Sequence, residues 1–129
     1  PVDEELIDWC GTTAEDGFRA ARRLLALSPR PTALIALNDL LALGAIRAGV
    51  ENGLRIPADC SIVGFDDISL AQQFTPPLTT VGYDAATVGE RAVELLLERL
   101  QFPERPSQTV TLPVNLIKRA STGQASSLD

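Results

Sequence analysis

Short apolar runs alternate along this chain with longer segments whose apolar residues recur at helical spacing, the alternation expected of a parallel sheet flanked by helices. The first run, Leu6 to Cys10, reads as a strand. Behind it, Thr13 with Asp16 forms a weaker relative of a capping box, and Ala14, Phe18, Ala21 and Leu25 fall at i, i+4, i+7 and i+11. That spacing predicts a helix over 14–27, closed by Ser28 and Pro29. Ala33 to Leu37 is short, wholly apolar and β-compatible, so it reads as a strand buried on both faces. A second helix is expected over 39–52, with Gly53 as its left-handed C-terminal residue, Leu54 as a Schellman contact and Pro57 barring continuation.

Ser61 to Phe65 is the next buried strand, ended by Asp66 and Asp67. The segment "ISLAQQFTPPLTT" reads as loop because its two prolines disfavour regular structure, and Thr79 to Val81 follows as a short strand. Asp84 can cap a long helix to about Leu100, with Val88, Ala92, Leu95, Leu96 and Leu100 on one stripe. Val110, Leu112 and Val114 alternate in a final strand. The tail, 123–129, reads as disordered.

A chain of 129 residues with 45% hydrophobic content suffices for one domain with a real core. The net charge of -6, with Lys118 the only lysine, argues against this piece gripping a phosphate backbone, which needs clustered cations. Cys10 and Cys60, with no histidine in the chain, are too few soft ligands for a structural zinc site and read as two buried thiols of a reducing cytoplasm. No apolar run reaches membrane-spanning length and no secretion signal is visible. The chain starts at Pro1 rather than at a methionine, as a piece cut from something longer would.

Candidate chemistry concentrates at the strand ends. In "PTALIALNDLLALGAI", Asn38 and Asp39 interrupt an apolar run where a strand pattern gives way to a helix pattern, and Asp66 closes the next strand. Open parallel sheets bind ligands at the carboxyl ends of their strands. An amide and a carboxylate there, on neighbouring strands joined by a right-handed crossover, suit a hydroxyl-rich small molecule. The alternative is local: Asn38 as an ordinary N-cap, and Asp66 and Asp67 as turn residues. An enzymatic reading, with the paired aspartates holding magnesium, lacks a glycine-rich phosphate loop and a nearby cation, and no serine nucleophile with a histidine base is available.

The succession "ALND", "GLRIPADCSIVGFDD", "PPLTTV" and "LIKRAS", spread from "DGFRAARRLLA" to Thr122, closely resembles the C-terminal part of LacI/GalR-family transcription regulators. The resemblance implies a periplasmic-binding-protein-like α/β effector domain, incomplete here. Residues 1–122 would be mostly its C-terminal subdomain, with about 79–101 packing in the N-terminal subdomain. It implies a sugar or nucleobase effector in the cleft, a homodimer, a cytoplasmic location, no cofactor, no metal and no catalysis. Operator DNA would be bound only through a helix-turn-helix headpiece outside this chain. By motif, Asn38 and Asp66 match effector-contacting positions, and Thr12 stands where the family often places a stacking aromatic ring, with Trp9 three residues earlier. The dimer face would fall near Leu43 and Phe74, although Leu43 as core and Phe74 as a loop anchor fit the sequence equally. With almost none of the N-terminal subdomain present, against which the Asp84 to Leu100 helix would pack, the Val88 to Leu100 stripe would be orphaned and would promote self-association. Two other readings share the sequence features: a solute-binding protein docking on a transporter, and a metal-dependent α/β enzyme.

Overall fold

The computed structural model describes residues 3–124. Its four-stranded sheet has the order β1-β2-β3-β4, with β1 at Ala33–Ile35, β2 at Ser61–Asp66, β3 at Thr79–Gly82 and β4 at Asn115–Ile117. The first three strands are parallel, and β4 runs antiparallel to β3, so the expected parallel sheet carries an antiparallel edge. Helices α1 (Ala14–Leu24) and α2 (Asp39–Glu51) lie together on one face. Between them and the sheet sits a core that includes Phe18, Leu34, Ile46, Ile62 and Leu78.

Local chemistry sets the helix ends. Thr13 and Asp16 form a full capping box, the Asp16 amide donating to Thr13 Oγ1 at 3.2 Å and the Thr13 amide to Asp16 Oδ2 at 3.1 Å. At the far end of α2, Gly53 takes φ +75°, its amide donates to the Val50 carbonyl at 2.9 Å, and the Leu54 amide reaches back to Gly49 at 2.9 Å. That is the anticipated Schellman motif. The helix pair approaches backbone to backbone. A Cβ at Gly17 would stand 2.2 Å from the Leu41 carbonyl oxygen, and one at Gly44 would stand 2.0 Å from that of Ala14.

Several expectations are corrected. Leu6 to Cys10 is not a paired strand: Glu4–Leu6 is a 3₁₀ turn, residues 7–10 pair with no strand, and Trp9 and Cys10 line an apolar slot of about 300 Å³ together with Ile35 and Leu37. Strand β1 is buried on one face only, with Ile35 88% exposed, because both covering helices lie on the other. Helix α1 stops at Leu24, and Leu25 serves as its C-cap. The final strand is Asn115–Ile117, not the stretch around Val110 to Val114, because pairing to β3 places Asn115 opposite Gly82, beyond Pro113, which has no amide to donate. Cys10 is exposed; only Cys60 is buried.

Helix α3 (Ala85–Gln101) stands apart and has no buried residue. Its cap is Asp84, whose Oδ1 accepts from the Ala86 amide at 3.0 Å and the Thr87 amide at 3.2 Å. Leu96, Leu97 and Leu100 are exposed along it. The expected disordered tail falls largely on 125–129, outside the described residues, whereas the Gly123 amide donates to Ser61 Oγ at 3.2 Å.

Candidate functional site

Register decides whether the two polar strand-end residues share a rim. Ile35 of β1 pairs with Val63 of β2, and Asn38 stands as far beyond Ile35 as Asp66 stands beyond Val63. Adjacent parallel strands therefore deliver both residues to one carboxyl edge of the sheet. Neither is sealed inside, since both are half-buried.

Part of the Asn38 side chain is used locally. As N-cap of α2, its Oδ1 accepts from the Leu41 amide at 2.7 Å, and its Nδ2 donates to the Thr12 carbonyl at 3.1 Å. The capping alternative is therefore correct as far as it goes. One Nδ2 hydrogen and one Oδ1 lone pair remain for a further partner. The same bond brings exposed Thr12 against Asn38. Thr13, its neighbour, holds the Asp16 carboxyl below the usual aspartate range by donating its hydroxyl, with its amide and Arg19 adding to the effect.

Asp66 is reached by the Tyr83 hydroxyl, which donates to Oδ1 at 3.4 Å, while Oδ2 has no partner among the described residues. Two residues here adopt left-handed backbone without being glycine: Asp66 at φ 113° and Asp67 at φ 52°. The Asp67 carboxylate is fixed by Arg119, Nη2 to Oδ1 at 2.6 Å, and Arg119 Nη1 also donates to the Leu78 carbonyl at 2.8 Å.

Three participants were not singled out in the sequence. Tyr83 pairs with Phe65, ring centroids 5.9 Å apart, beside Asp66; the period-two alternation from Val81 to Tyr83 places both on the uncovered face. Arg119, beyond β4, was quoted only within a motif. Asp39 appeared only as a polar interruption at a helix start, with no role of its own. The two residues expected at a dimer face lie differently from one another: Leu43 is half-buried against the core, and Phe74, 6% exposed, is part of it. Among the described residues no helix is long and apolar enough to cross a membrane, and no group of three or more histidine, cysteine or carboxylate side chains is placed to hold a metal ion.

The model of the periplasmic binding protein-like domain matches residues 2–122. A lactose operon repressor of Rhizobium radiobacter is 47% identical over 112 residues, covering 87% of this chain and 98% of that protein. The transcriptional repressor PurR of Mannheimia succiniciproducens is 44% identical over 107 residues, 83% of this chain but 32% of its own length, so this chain spans about a third of that relative. A LacI-family transcriptional regulator from Enterococcus faecium, solved with bound ribose, superposes with a TM-score of 0.74 at 37% identity, over 88% of this chain and 41% of that one. The chain thus belongs to the periplasmic-binding-protein-like domain family, in the form carried by LacI-type transcription regulators.

Proposed function

We propose that this chain is the effector-sensing and dimerising part of a small-molecule-responsive transcription regulator. Its rim of Asn38 and Asp66, with Thr12 alongside, holds a hydroxyl-rich effector, a sugar before a nucleobase. The observation that carries this is the shared edge: a carboxylate with a free oxygen and an amide with a free donor and acceptor stand on neighbouring strands, as pairs of sugar hydroxyls require. The ribose-bound regulator supports the sugar class.

Operator DNA is contacted through a headpiece outside this chain, in keeping with its charge of -6, and the protein works in the cytoplasm without catalysis, the reading that its likeness to transcriptional repressors supports. Those relatives favour this reading over a transporter-linked solute-binding protein. The exposed stripe of α3 is assigned to packing against a second lobe. Leu43 is assigned to the dimer face, with Phe74 supporting that face from beneath.

The test is shift mapping by nuclear magnetic resonance on the ¹⁵N-labelled chain, titrated with D-ribose and, separately, adenine. Ribose should move the amides around Thr12, Asn38 and Asp66, weakly because one wall of the cleft is absent, and Asp66→Ala should abolish the movement. Shifts confined to the α3 side, or unchanged in Asp66→Ala and Asn38→Ala, would place binding elsewhere.

A further inference from the structure

Asp39 follows Asn38 directly as the first residue of α2 and is fully buried, 0% exposed. Among the described residues it has no cationic partner. Its Oδ1 accepts from the Thr80 hydroxyl on β3 at 2.6 Å, and its Oδ2 accepts from the Ile68 amide at 2.9 Å. One side chain therefore joins the start of α2, the middle of β3 and the turn that follows β2. The sheet makes room for it: a Cβ on Gly64 would stand 2.2 Å from Asp39 Oδ1, so the glycine of "VGFDD" is the recess that admits this carboxylate.

The Ile68 bond closes the turn in which Asp66 and Asp67 hold φ 113° and 52°. Side-chain-bearing residues adopt such backbone only where the surroundings impose it. Arg119 grips the turn at Asp67, and Asp39 grips it at Ile68. Of the two anchors, only Asp39 is also bonded through the chain to Asn38.

We propose that Asp39 is the positioning residue of the rim: its buried carboxylate ties the turn carrying Asp66 to the helix start carrying Asn38, and so fixes the spacing of the two effector-binding groups. The inference rests on the effector reading of Asn38 and Asp66, but its geometric half is testable without ligand. Both partners of Asp39 donate here, yet they differ. The Thr80 hydroxyl can rotate and accept instead, whereas the Ile68 amide cannot. An asparagine can therefore keep the Ile68 bond and reverse the Thr80 bond, while alanine loses both.

The experiment follows backbone amide hydrogen exchange residue by residue in the ¹⁵N-labelled chain, with D-ribose titration as a second arm. Asp39→Ala should speed exchange at Ile68 by about tenfold more than at Ile62 in the same sample, because the loss is local to the turn. Asp39→Asn should restore Ile68 protection. Thr80→Val, which removes the other partner, should lower thermal stability yet leave Ile68 protected. Ribose affinity should fall about tenfold in Asp39→Ala and recover in Asp39→Asn. If Asp39→Ala does not fold, Asp39→Asn and Thr80→Val still decide: the proposal requires Ile68 to stay protected in both, although Thr80→Val lowers thermal stability, and loss of Ile68 protection in either one overturns it. Equal acceleration at Ile68 and Ile62 in Asp39→Ala, or Ile68 protection lost in Thr80→Val, overturns the proposal. Absence of ribose binding in the unmodified chain counts instead against the sugar reading, with the exchange result standing on its own.

Discussion

Helices α2 and α3 have opposite fates. Helix α2 lies against α1 so closely that Gly17 and Gly44 touch the opposing backbone, and Leu41, Ala42, Ala45, Ile46 and Ala48 are buried along it. Helix α3 is longer, carries a clean apolar stripe, and buries nothing. Its order comes from local bonds: the Asp84 cap, the Arg91–Glu94 ion pair and the Glu98–Arg105 pair at 2.6 Å, beside which the Arg105 guanidinium lies 4.0 Å from the Phe102 ring centre. Amphipathic spacing says that a face is apolar; it does not say what covers it. Glycines at the crossing do, since a helix that must meet another backbone cannot carry a side chain there.

The largest expected effect breaks the α1–α2 contact. Gly44→Ala puts a methyl 2.0 Å from a backbone oxygen, with no flexible neighbour to yield, and should cost about 3 kcal/mol or more in urea unfolding. Gly89→Ala on α3, with nothing within 4 Å of the new methyl, should instead slow amide exchange within that helix through helix propensity and leave the urea midpoint unchanged. Equal effects at the two glycines would erase the distinction between packed and unpacked helices.

Next in size is association. Each leucine of the α3 stripe forgoes about 1.5 to 3 kcal/mol while exposed, so the chain should self-associate at high concentration in sedimentation. Leu96→Glu with Leu100→Glu should return it to monomer while moving the unfolding free energy by less than about 0.5 kcal/mol. A clean monomer at high concentration in the unmodified chain would contradict this.

The smallest effect compares the helix caps in acid. The Thr13 hydroxyl holds the Asp16 carboxyl below its ordinary value, and the Thr87 hydroxyl does the same for Asp84. A depressed carboxylate contributes stability that is complete above its unfolded-state value and disappears as pH falls through the folded one. Acidification below about pH 4 should therefore weaken both caps. At α1 the loss should lower the global unfolding midpoint, and Thr13→Ala should flatten that acid limb and cost about 1 kcal/mol at neutral pH. At α3 the loss should appear as local fraying in amide exchange, with no change in the midpoint.

Much of the sheet and both packed helices were legible in the residues, because Thr13, Asn38, Gly53 and Pro57 punctuate the chain through local chemistry that tertiary contacts did not override. The strand-end argument placed Asn38 and Asp66 on one edge for the same reason: period and connection length fix which strand ends face the same way. Leu6 to Cys10 misled because an apolar run specifies burial without specifying a hydrogen-bonded neighbour. Val110 to Val114 misled because alternation cannot register an antiparallel partner, which depends on where β3 ends. Asp39 stood out as a polar interruption at a helix start but its role was invisible, since that role lies in Thr80 and Ile68, both far along the chain, and in the recess at Gly64.

The chain leaves the sheet for α3 from Gly82 and returns at Asn115, and those two residues sit opposite one another in the β3–β4 pair. The arm therefore hangs from a two-ply ribbon rather than from a single cord. A lone connector would let it swivel freely; a paired one resists torsion, so any reorientation of the arm has to proceed as a shared flexing of both plies, with the sheet edge as the fulcrum.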